Sequence, residues 1–422
     1  MLDIKFIRDN VQLVQENINN RGMKANALLV PEIYSKRNSS LKNIEALRAE
    51  RNEASQKMKE KLTEDERRKL IERGRLIKDE ISKLEIEEKQ LNDELFQLVR
   101  SIPNMTHPEV PIGLEGEGKT LEVIGIKPEF SFEPKDHLTL GNELKLFDFE
   151  SAAEVSGQKF YYLLNDGAML ELALVNYAMN KLVSKGFTPV ITPDLARVNI
   201  LEAIGFNPRG DETQVYSVAD TDLCLIGTSE ITLGGMLRDK ILRKEDLPIK
   251  YVGFSHCFRT EAGASGAESR GLYRVHQFSK VEMFAFTNQN ESEQTHLELK
   301  EIEKEIFSEL GLYFRVVDIP TGDLGSPAYR KYDIEAWMPS RGDFGEVTST
   351  SNCTDYQSRR LNIKYRDENN DLQFVHTLNG TAIAVSRAIL GIIENFQLED
   401  GTIIIPEVLR PYMGGRDKIV KK

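Results

Sequence analysis

Five apolar residues that recur every seven positions constrain this chain more than any other feature of its sequence. They are Leu70, Ile77, Leu84, Leu91 and Leu98. A heptad repeat of this length predicts a long helix that packs along another helix as a coiled coil. A second apolar pattern over residues 41–58 predicts the partner helix, and Thr63 with Glu66 forms a capping-box pattern between them. We therefore predict two antiparallel helices over about 27–100, an αα-hairpin joined near Leu62.

The charge of the predicted hairpin differs from that of the whole chain. The chain carries 55 basic and 67 acidic side chains, a net charge of −12, and this argues against a general nucleic-acid binder. Residues 51–78, at the free end of the hairpin, nevertheless hold 10 basic and 6 acidic side chains. Such a basic end fits contact with the phosphate backbone of one folded RNA, although a solvated charged face is the plainer interpretation.

The sequence pattern changes beyond the hairpin. A segment rich in Pro and Gly follows, and after it short β-type runs alternate with helical stretches over 170–184, 293–311 and 382–394. This order indicates an α+β fold with an antiparallel sheet. We predict an N-terminal domain over 1–105, a linker over 106–120 and a second domain over 121–422.

Several classes of protein are disfavoured. Cys224, Cys257 and Cys353 are far apart, so neither a disulfide framework nor a Cys-rich zinc site is expected, and reducing conditions are the simplest setting. No run of 18 apolar residues is present, so no membrane span is predicted. Residues 113–120 match the letters of a P-loop, but prolines precede them and a strand-like run follows, whereas a P-loop lies between a strand and a helix.

Residues that suit phosphate chemistry concentrate in the segment 257–282. Three arginines and a lysine lie in one predicted hairpin, and strand alternation places Arg274, His276, Phe278, Lys280 and Glu282 on one side of it. The planar guanidinium of arginine forms paired hydrogen bonds with phosphate, and an aromatic ring can stack on a base. The alternative is a solvated hairpin with cross-strand ion pairs.

Two further segments carry polar groups where a core is expected. Residues 378–390 read as a strand or turn that leads into an apolar helix, and Arg387 lies in its first turns. An arginine in a buried helix requires a partner. Residues 346–353 form a strand dense in oxygen donors, which suit a hard cation such as Mg²⁺.

These segments together resemble the signature motifs of class II aminoacyl-tRNA synthetases, and specifically the seryl-tRNA synthetase family. The resemblance covers nearly the whole chain. Residues 186–193 resemble motif 1, residues 258–282 motif 2, residues 379–387 motif 3, and residues 226–230 the serine loop of that family. Further similar stretches are 322–325, 332–337 and 351–360.

The resemblance implies a fold and an activity. The hairpin is expected to bind tRNA, and the second domain to be a class II catalytic domain built on an antiparallel β-sheet. The implied reaction activates L-serine with ATP to seryl-adenylate and transfers serine to the 3′ end of tRNA(Ser), with tRNA(Sec) as a further candidate. Mg²⁺, a homodimer and a cytoplasmic location are also implied, with no zinc and no membrane. An organellar compartment, after removal of a transit segment, is the alternative.

The resemblance also assigns residues to roles. Arg259 grips the α-phosphate, and Arg387 joins it as a catalytic residue. Serine is surrounded by Thr228, Ser229, Glu230, Glu282, Asn379 and Thr381. ATP is bound by Arg259, Thr260, Glu261, Arg274, Val275, Phe278, Glu346, Val347, Thr348, Ser349 and Arg387. Mg²⁺ is held by Glu346 and Ser349.

Three other interpretations compete with this one. An amino-acid:carrier-protein ligase shares the catalytic core but lacks the long hairpin. A non-catalytic paralogue is expected to have lost one of Arg259, Glu261, Glu282 or Arg387, and all four are present. A coiled-coil scaffold with an unrelated globular head leaves the arginine-rich hairpin and Arg387 unexplained.

Overall fold

The computed structural model describes residues 1–206, 214–262 and 271–421. The chain divides into two compact units, one ending at Met105 and the other starting at Thr106. The first unit is helical. Its apolar core packs the first two helices against the start of the first long helix and the end of the second. Its helices are α1 (Ile4–Asp9), α2 (Val11–Asn20), α3 (Val30–Lys57) and α4 (Glu64–Ser101).

The two long helices of the first unit lie antiparallel, because Arg37 pairs with Glu88 and Arg48 with Glu85 across them. Four side chains of α4 that follow the apolar repeat are buried, namely Ile77, Ile81, Leu95 and Val99. Leu70, Leu84, Leu91 and Leu98 are half-buried, as expected for a helix that is covered on one side only.

The start of α4 follows directly from the local sequence. The Thr63 hydroxyl accepts from the Glu66 backbone N–H at 3.4 Å, and the Glu66 carboxylate accepts from the Thr63 backbone N–H at 2.9 Å. The predicted capping box is thereby confirmed. Three acidic residues in the first turn favour the same helix end, since its free N–H groups carry partial positive charge.

Among its described residues, the second unit contains eight α-helices, most of them short. They are α5 (His137–Glu143), α6 (Glu150–Ser156), α7 (Asn165–Ser184), α8 (Val198–Ile204), α9 (Glu230–Gly235), α10 (Ser292–Glu309), α11 (Tyr356–Leu361) and α12 (Val385–Asn395). Its strands are β1 (Lys119–Ile124), β2 (Phe147–Asp148), β3 (Tyr162–Leu163), β4 (Thr188–Ile191), β5 (Leu195–Arg197), β6 (Leu223–Leu225), β7 (Ile241–Arg243), β8 (Ile249–Phe258), β9 (Gln277–Thr287), β10 (Phe314–Asp318), β11 (Arg330–Met338), β12 (Asp343–Asn352), β13 (Lys364–Arg366), β14 (Leu372–Phe374), β15 (His376–Ala384), β16 (Ile403–Ile404) and β17 (Lys418–Ile419).

An eight-stranded sheet organises this unit, in the order β1-β10-β11-β12-β15-β9-β8-β4. Every neighbouring pair is antiparallel except β4 and β8, which are parallel. The main apolar core lies between this sheet and the helices packed against it, chiefly α7, α10 and α12. The predicted α+β fold with an antiparallel sheet is confirmed.

The sheet opens at its centre. Strands β12 and β15 are paired only through Thr350–Gly380, Ser351–Asn379 and Asn352–Leu378. Beyond this point the strands separate, and the Thr348 hydroxyl donates to the carbonyl oxygen of Thr381 instead. The opening frees backbone and side-chain polar groups of both strands to face a ligand.

The segment 106–120, predicted as a linker, lies against the second unit. Val110 is buried in a small apolar cluster with Val317, Ile319, Leu324 and Ala328. Its backbone is held as well, since His107 N–H donates to Tyr329 O at 2.9 Å. The P-loop-like letters at 113–120 lead into strand β1 and not into a helix, as the flanking prolines indicated.

Candidate active site

A polar cavity of about 300 Å³ opens where the central strands separate. Strands β9, β11, β12 and β15 supply its floor, while the end of β8 and the start of α12 supply its walls. Nine charged side chains line it, and Arg259, Glu282, Glu346 and Arg387 among them come from four different parts of the fold. Charges gathered in one cavity of a folded protein are typical of a functional site.

One end of the cavity is organised around Arg387, the third residue of α12. Its guanidinium donates to the carbonyl oxygen of Glu346 at 3.1 Å and forms an ion pair with the Glu346 carboxylate at 3.1 Å. It also lies 4.7 Å from the centre of the Tyr273 ring. The buried helix tolerates this arginine because the partners satisfy it.

The electrostatic state of Glu346 follows from the same contacts. Burial alone would raise the pKa of this carboxyl, but the charges of Arg387 and Lys331 outweigh burial and lower it. Glu346 is therefore ionised at neutral pH. An ionised carboxylate beside the hydroxyl of Ser349, which also lines the cavity, is a donor set that suits a hard cation.

A second basic group lies at the end of β8. Arg259 Nε donates to the carbonyl oxygen of Gly227 at 3.3 Å, and its guanidinium lies 5.4 Å from the centre of the Phe278 ring. Arg274 forms an ion pair with Glu261 at 3.4 Å. The cavity thus holds three arginines and two aromatic rings, Phe278 and Tyr273, an arrangement suited to a nucleotide with several phosphates.

The opposite end of the cavity is lined by buried carboxylates. Glu282 forms an ion pair with Lys280 at 2.6 Å and accepts a hydrogen bond from the Thr381 hydroxyl at 3.0 Å. Glu230 accepts from the side-chain amide of Asn379 at 3.0 Å. Burial and the nearby charge of Glu282 raise the pKa of Glu230 to about 7. This end suits a small polar ligand that bears a positive charge.

The structure gathers nearly all the residues that the sequence proposed. Fifteen of them line this cavity, namely Thr228, Glu230, Arg259, Glu261, Arg274, Val275, Phe278, Glu282, Glu346, Val347, Thr348, Ser349, Asn379, Thr381 and Arg387. They come from five separate stretches of chain. The opening between β12 and β15 brings those stretches together.

Two of the proposed contacts, which stay predictions, lie outside the lining of this cavity. Ser229 does not line the cavity, because its side chain is fully buried and directed at Gly253 of β8 while Thr228 and Glu230 face the opposite way. Thr260 also lies outside the lining, and its backbone N–H donates to the carbonyl oxygen of Gln214. Ser229 is the N-cap residue of α9 and has helical φ and ψ angles of −68° and −11°.

The proposed shared side of the hairpin is only partly correct. Phe278, Lys280 and Glu282 alternate on one face of β9 and line the cavity. His276 precedes the strand, stacks on Phe160 at 5.3 Å and hydrogen-bonds with Tyr216, so it does not line the cavity. The small-residue part of motif 2, residues 263–270, lies outside the described residues.

Six lining residues were not proposed as ligand contacts, namely Phe206, Tyr273, Lys280, Lys331, Ala384 and Ser386. Lys280 had a usable signal, since it lies two positions before Glu282 in the same strand. Lys331 had none, because β11 reaches the cavity only through its place in the sheet. Long-range strand order is invisible to local patterns.

Two negative features apply to the described part of the protein. None of its helices is long and apolar enough to cross a membrane. No group of three or more His, Cys, Asp and Glu side chains within residues 1–206, 214–262 and 271–421 could hold a metal ion.

Comparison with known proteins gives the family. Residues 214–396 match the tRNA synthetase class II core domain of the G, H, P, S and T group, and residues 1–106 match the seryl-tRNA synthetase N-terminal domain. The serine–tRNA ligase of Treponema denticola is 54% identical over 418 residues, which cover 98% of this chain and 99% of that protein. The chain belongs to the seryl-tRNA synthetase family.

Other members of the seryl-tRNA synthetase family agree in sequence and structure. The serine–tRNA ligase of Rubrobacter xylanophilus is 51% identical, with 98% of each chain covered. The crystal structure of seryl-tRNA synthetase from Pyrococcus horikoshii complexed with ATP has a TM-score of 0.92 and 42% identity, with 100% of each chain covered. The family predicted from the joint motifs is confirmed, and with it the class II form of the predicted fold.

Proposed function

We propose that the chain is a serine–tRNA ligase that activates L-serine with ATP and then transfers serine to the 3′ end of tRNA(Ser). One observation carries the proposal. The same cavity holds an arginine-rich end with the Phe278 and Tyr273 rings and a second end lined by carboxylates, hydroxyls and the Asn379 amide. The first end suits ATP and the second suits serine, and the two ligands have to meet for the first step.

The first step needs little proton transfer. An oxygen of the serine carboxylate attacks the α-phosphorus of ATP, the bond to the bridging oxygen breaks, and pyrophosphate leaves. Catalysis therefore consists of positioning and of stabilising the charge that builds up on the phosphorus centre. Arg259 is proposed to meet the α-phosphate. In the second step a terminal ribose hydroxyl of tRNA attacks the carbonyl carbon of seryl-adenylate, and AMP leaves.

The remaining ATP contacts follow from the positions of the side chains. Arg274 and Arg387 are proposed to bind the β- and γ-phosphates, and Phe278 to stack on adenine. Glu261 is proposed to accept from the adenine amino group. Backbone and side-chain atoms of four further residues complete the proposed set, namely Val275, Val347, Thr348 and Ser349.

The serine end offers two carboxylates with different surroundings. Glu282 is already paired with Lys280 at 2.6 Å, so its charge is largely neutralised and it suits the serine hydroxyl, together with Thr381. Glu230 takes its hydrogen bonds from side-chain amides, and it therefore suits the ammonium group. Thr228 and Asn379 are proposed to complete the serine contacts.

Glu346 and Ser349 are proposed to hold Mg²⁺. The ionised state of Glu346 supports this assignment, and Mg²⁺ in phosphoryl-transfer enzymes is bound by one or two protein oxygens together with substrate phosphates. When bound, the ion neutralises charge on the phosphates of ATP. Glu346 at the same time holds Arg387 in place.

The N-terminal domain, 1–105, is proposed to bind tRNA through the helical hairpin, and 121–422, after the linker 106–120, to be the catalytic domain. The end of the hairpin supports this because basic side chains outnumber acidic ones there. Ser-accepting tRNA(Sec) is a further proposed substrate, since the hairpin contacts backbone phosphates that any such tRNA carries. A cytoplasmic location is proposed because the three cysteines are buried free thiols.

A homodimer is proposed through the β4 edge of the large sheet. Ile191 at the end of β4 is 82% exposed. Helix α7, which packs on β4, exposes Leu172 and Val183. An unpaired sheet edge with exposed apolar side chains is a typical site for association.

The proposed function is tested by ATP–pyrophosphate exchange with each of the twenty amino acids, followed by charging of tRNA(Ser). We expect exchange with serine alone and then serine-dependent charging. Exchange with glycine or alanine instead would point to a carrier-protein ligase. No exchange with any amino acid would sink the catalytic proposal.

A further inference from the structure

The side-chain amide of Gln357 does not line the cavity but contacts its serine end, and each of its polar groups has a hydrogen-bond partner. Gln357, in the short helix α11, is completely buried. Its Nε2 donates to the carbonyl oxygen of Ile204 at 3.0 Å and to Glu230 Oε1 at 2.7 Å. Its Oε1 accepts from the Thr377 hydroxyl at 2.7 Å. Both N–H groups and the carbonyl oxygen of the amide are therefore used.

These contacts fix the orientation of the amide. If the amide were flipped, its carbonyl oxygen would face the oxygens of Ile204 and Glu230 without a proton between them, which is unfavourable in a buried site. The Thr377 hydroxyl reinforces the observed orientation from β15. Three separate elements, the end of α8, the start of α9 and β15, are thus tied to one side chain.

The contacts of Gln357 also orient the carboxylate of Glu230. Gln357 and Asn379 both donate to the same oxygen, Oε1, at 2.7 and 3.0 Å, which leaves Oε2 as the oxygen available to a ligand. The two donors also hold the carboxyl plane. A carboxylate oriented in this way presents one oxygen to an ammonium group without reorganisation.

The charge of Glu230 depends on the same contact. Burial and Glu282 raise its pKa to about 7, whereas the hydrogen bond from Gln357 and the charges of Lys280 and Arg259 act in the opposite direction. The ionised form is the one that attracts an ammonium group. A donor that favours this form near neutral pH therefore affects ligand binding directly.

We infer that Gln357 is a positioning residue for serine, which orients Glu230 and keeps it ionised for the substrate ammonium group. The inference rests on the proposed function, since it assigns the ammonium contact within that site. Gln357 has no role toward ATP, because none of its three hydrogen bonds reaches the arginine-rich end of the cavity.

The test compares the KM for serine and the KM for ATP in pyrophosphate exchange, for the wild type and Gln357→Met. Loss of one hydrogen bond to a charged group is expected to raise the KM for serine by about tenfold, with the KM for ATP unchanged. The loss also raises the pKa of Glu230 further. The rise in the serine KM should therefore be larger below the wild-type Glu230 pKa of about 7 than above it.

Two further variants keep the test decisive if Gln357→Met does not fold. Thr377→Val removes only the bond that orients the amide, and a smaller rise in the serine KM with the same pH trend is expected. Ser358→Ala is the matched control, because it removes a buried hydrogen bond of the same helix, to Val375 O at 2.5 Å, that does not reach Glu230. It should leave both KM values unchanged.

The outcomes separate the two proposals. A serine KM that stays at the wild-type value in both variants, or that rises by the same factor at every pH, overturns the role of Gln357. A parallel rise in the KM for ATP overturns it as well. A wild type without serine-dependent exchange overturns the proposed function and this inference with it.

Discussion

The helical hairpin and the sheet domain differ in how far their ion pairs are exposed to water. In the hairpin, the pairs Arg48–Glu85 and Arg73–Glu50 lie at the surface, where each side chain is about half exposed. In the sheet domain, Lys280 and Glu282 pair at 2.6 Å with side-chain exposures of 7% and 2%. The first arrangement leaves charges hydrated, whereas the second removes them from water.

This difference in exposure suits the two regions to different kinds of ligand. Hydrated pairs contribute little to stability and can be exchanged freely, so the hairpin can adapt its surface to a large polyanion. Dehydrated pairs depend on one another, because an uncompensated buried charge is strongly destabilising. The cavity therefore holds a fixed electrostatic environment, which suits the chemistry of a small substrate.

The largest effect is expected when most of the helical hairpin is removed. Replacing residues 46–82 by a short glycine-rich turn keeps the apolar base of the hairpin, including Leu95 and Val99. Charging of tRNA(Ser) should be abolished while serine-dependent pyrophosphate exchange continues at the wild-type rate. Aminoacylation and exchange assays on the same preparation measure this. Normal charging by the truncated chain would contradict the role of the hairpin.

Breaking the buried pair should unfold the sheet domain more easily. Lys280→Met leaves Glu282 without its cation, and a loss of about 3–5 kcal/mol in the free energy of unfolding is expected. Denaturant titration measures it. The double variant Lys280→Met with Glu282→Met should recover most of this stability. A double variant as unstable as the single one would show that packing, and not the buried charge, is responsible.

Arg259→Ala should lower the rate of exchange by about 100- to 1,000-fold, the usual loss when one donor to a transition state is removed. Stability should change little, because the side chain contacts one carbonyl oxygen and one ring. Arg243→Ala is the matched control, since this arginine is 70% exposed and pairs with Asp246. Near-normal exchange by Arg259→Ala would sink its role at the α-phosphate.

Glu303 gives a pH-dependent contrast with the exposed carboxylates of the hairpin. It is fully buried in α10, close to Thr348, but the Thr348 hydroxyl donates to Thr381 instead. Both carboxyl oxygens consequently lack a donor among the described residues. Burial, followed by the charges of Glu282 and Asp333, raises the pKa of Glu303 well above its usual value.

The sign of the effect follows from proton linkage. Above the unfolded pKa the unfolded carboxyl loses its proton while the folded one retains it, so this group lowers stability as the pH rises, by about 1.4 kcal/mol per pH unit, until its raised folded pKa is reached. Glu303→Gln should flatten the fall in unfolding free energy above about pH 5. Parallel curves for the variant and the wild type would contradict a raised pKa.

The smallest effect is expected at the surface of the hairpin. Arg73→Ala breaks the pair with Glu50, whose two hydrogen bonds measure 2.7 and 2.8 Å. Because both side chains are well hydrated, the melting midpoint should change by an amount near the limit of detection. Differential scanning calorimetry measures it. A loss comparable to that of Lys280→Met would erase the distinction between the two regions.

Local sequence patterns determined the hairpin. Its heptads, the capping box at Thr63 and Glu66, and the break before Thr63 all act within a few residues, and the structure follows them. The residue types at the cavity were also evident from the joint motifs, because arginine, glutamate and asparagine at those positions have few other uses. Features that depend only on neighbouring residues in the chain can be predicted from the sequence without the tertiary structure.

The tertiary structure alone decided which of these residues meet. Lys331 lines the cavity because the strand order places β11 only three strands from β9. Gln357 donates to Glu230 because the fold packs α11 against β15. The side chain of Ser229, the N-cap residue of α9, lies against Gly253, whereas its buried neighbours Thr228 and Glu230 line the cavity. The burial that raises the pKa of Glu230 likewise exists only once the strands have paired. Desolvation and long-range strand order are properties of the folded chain, and no local pattern encodes them.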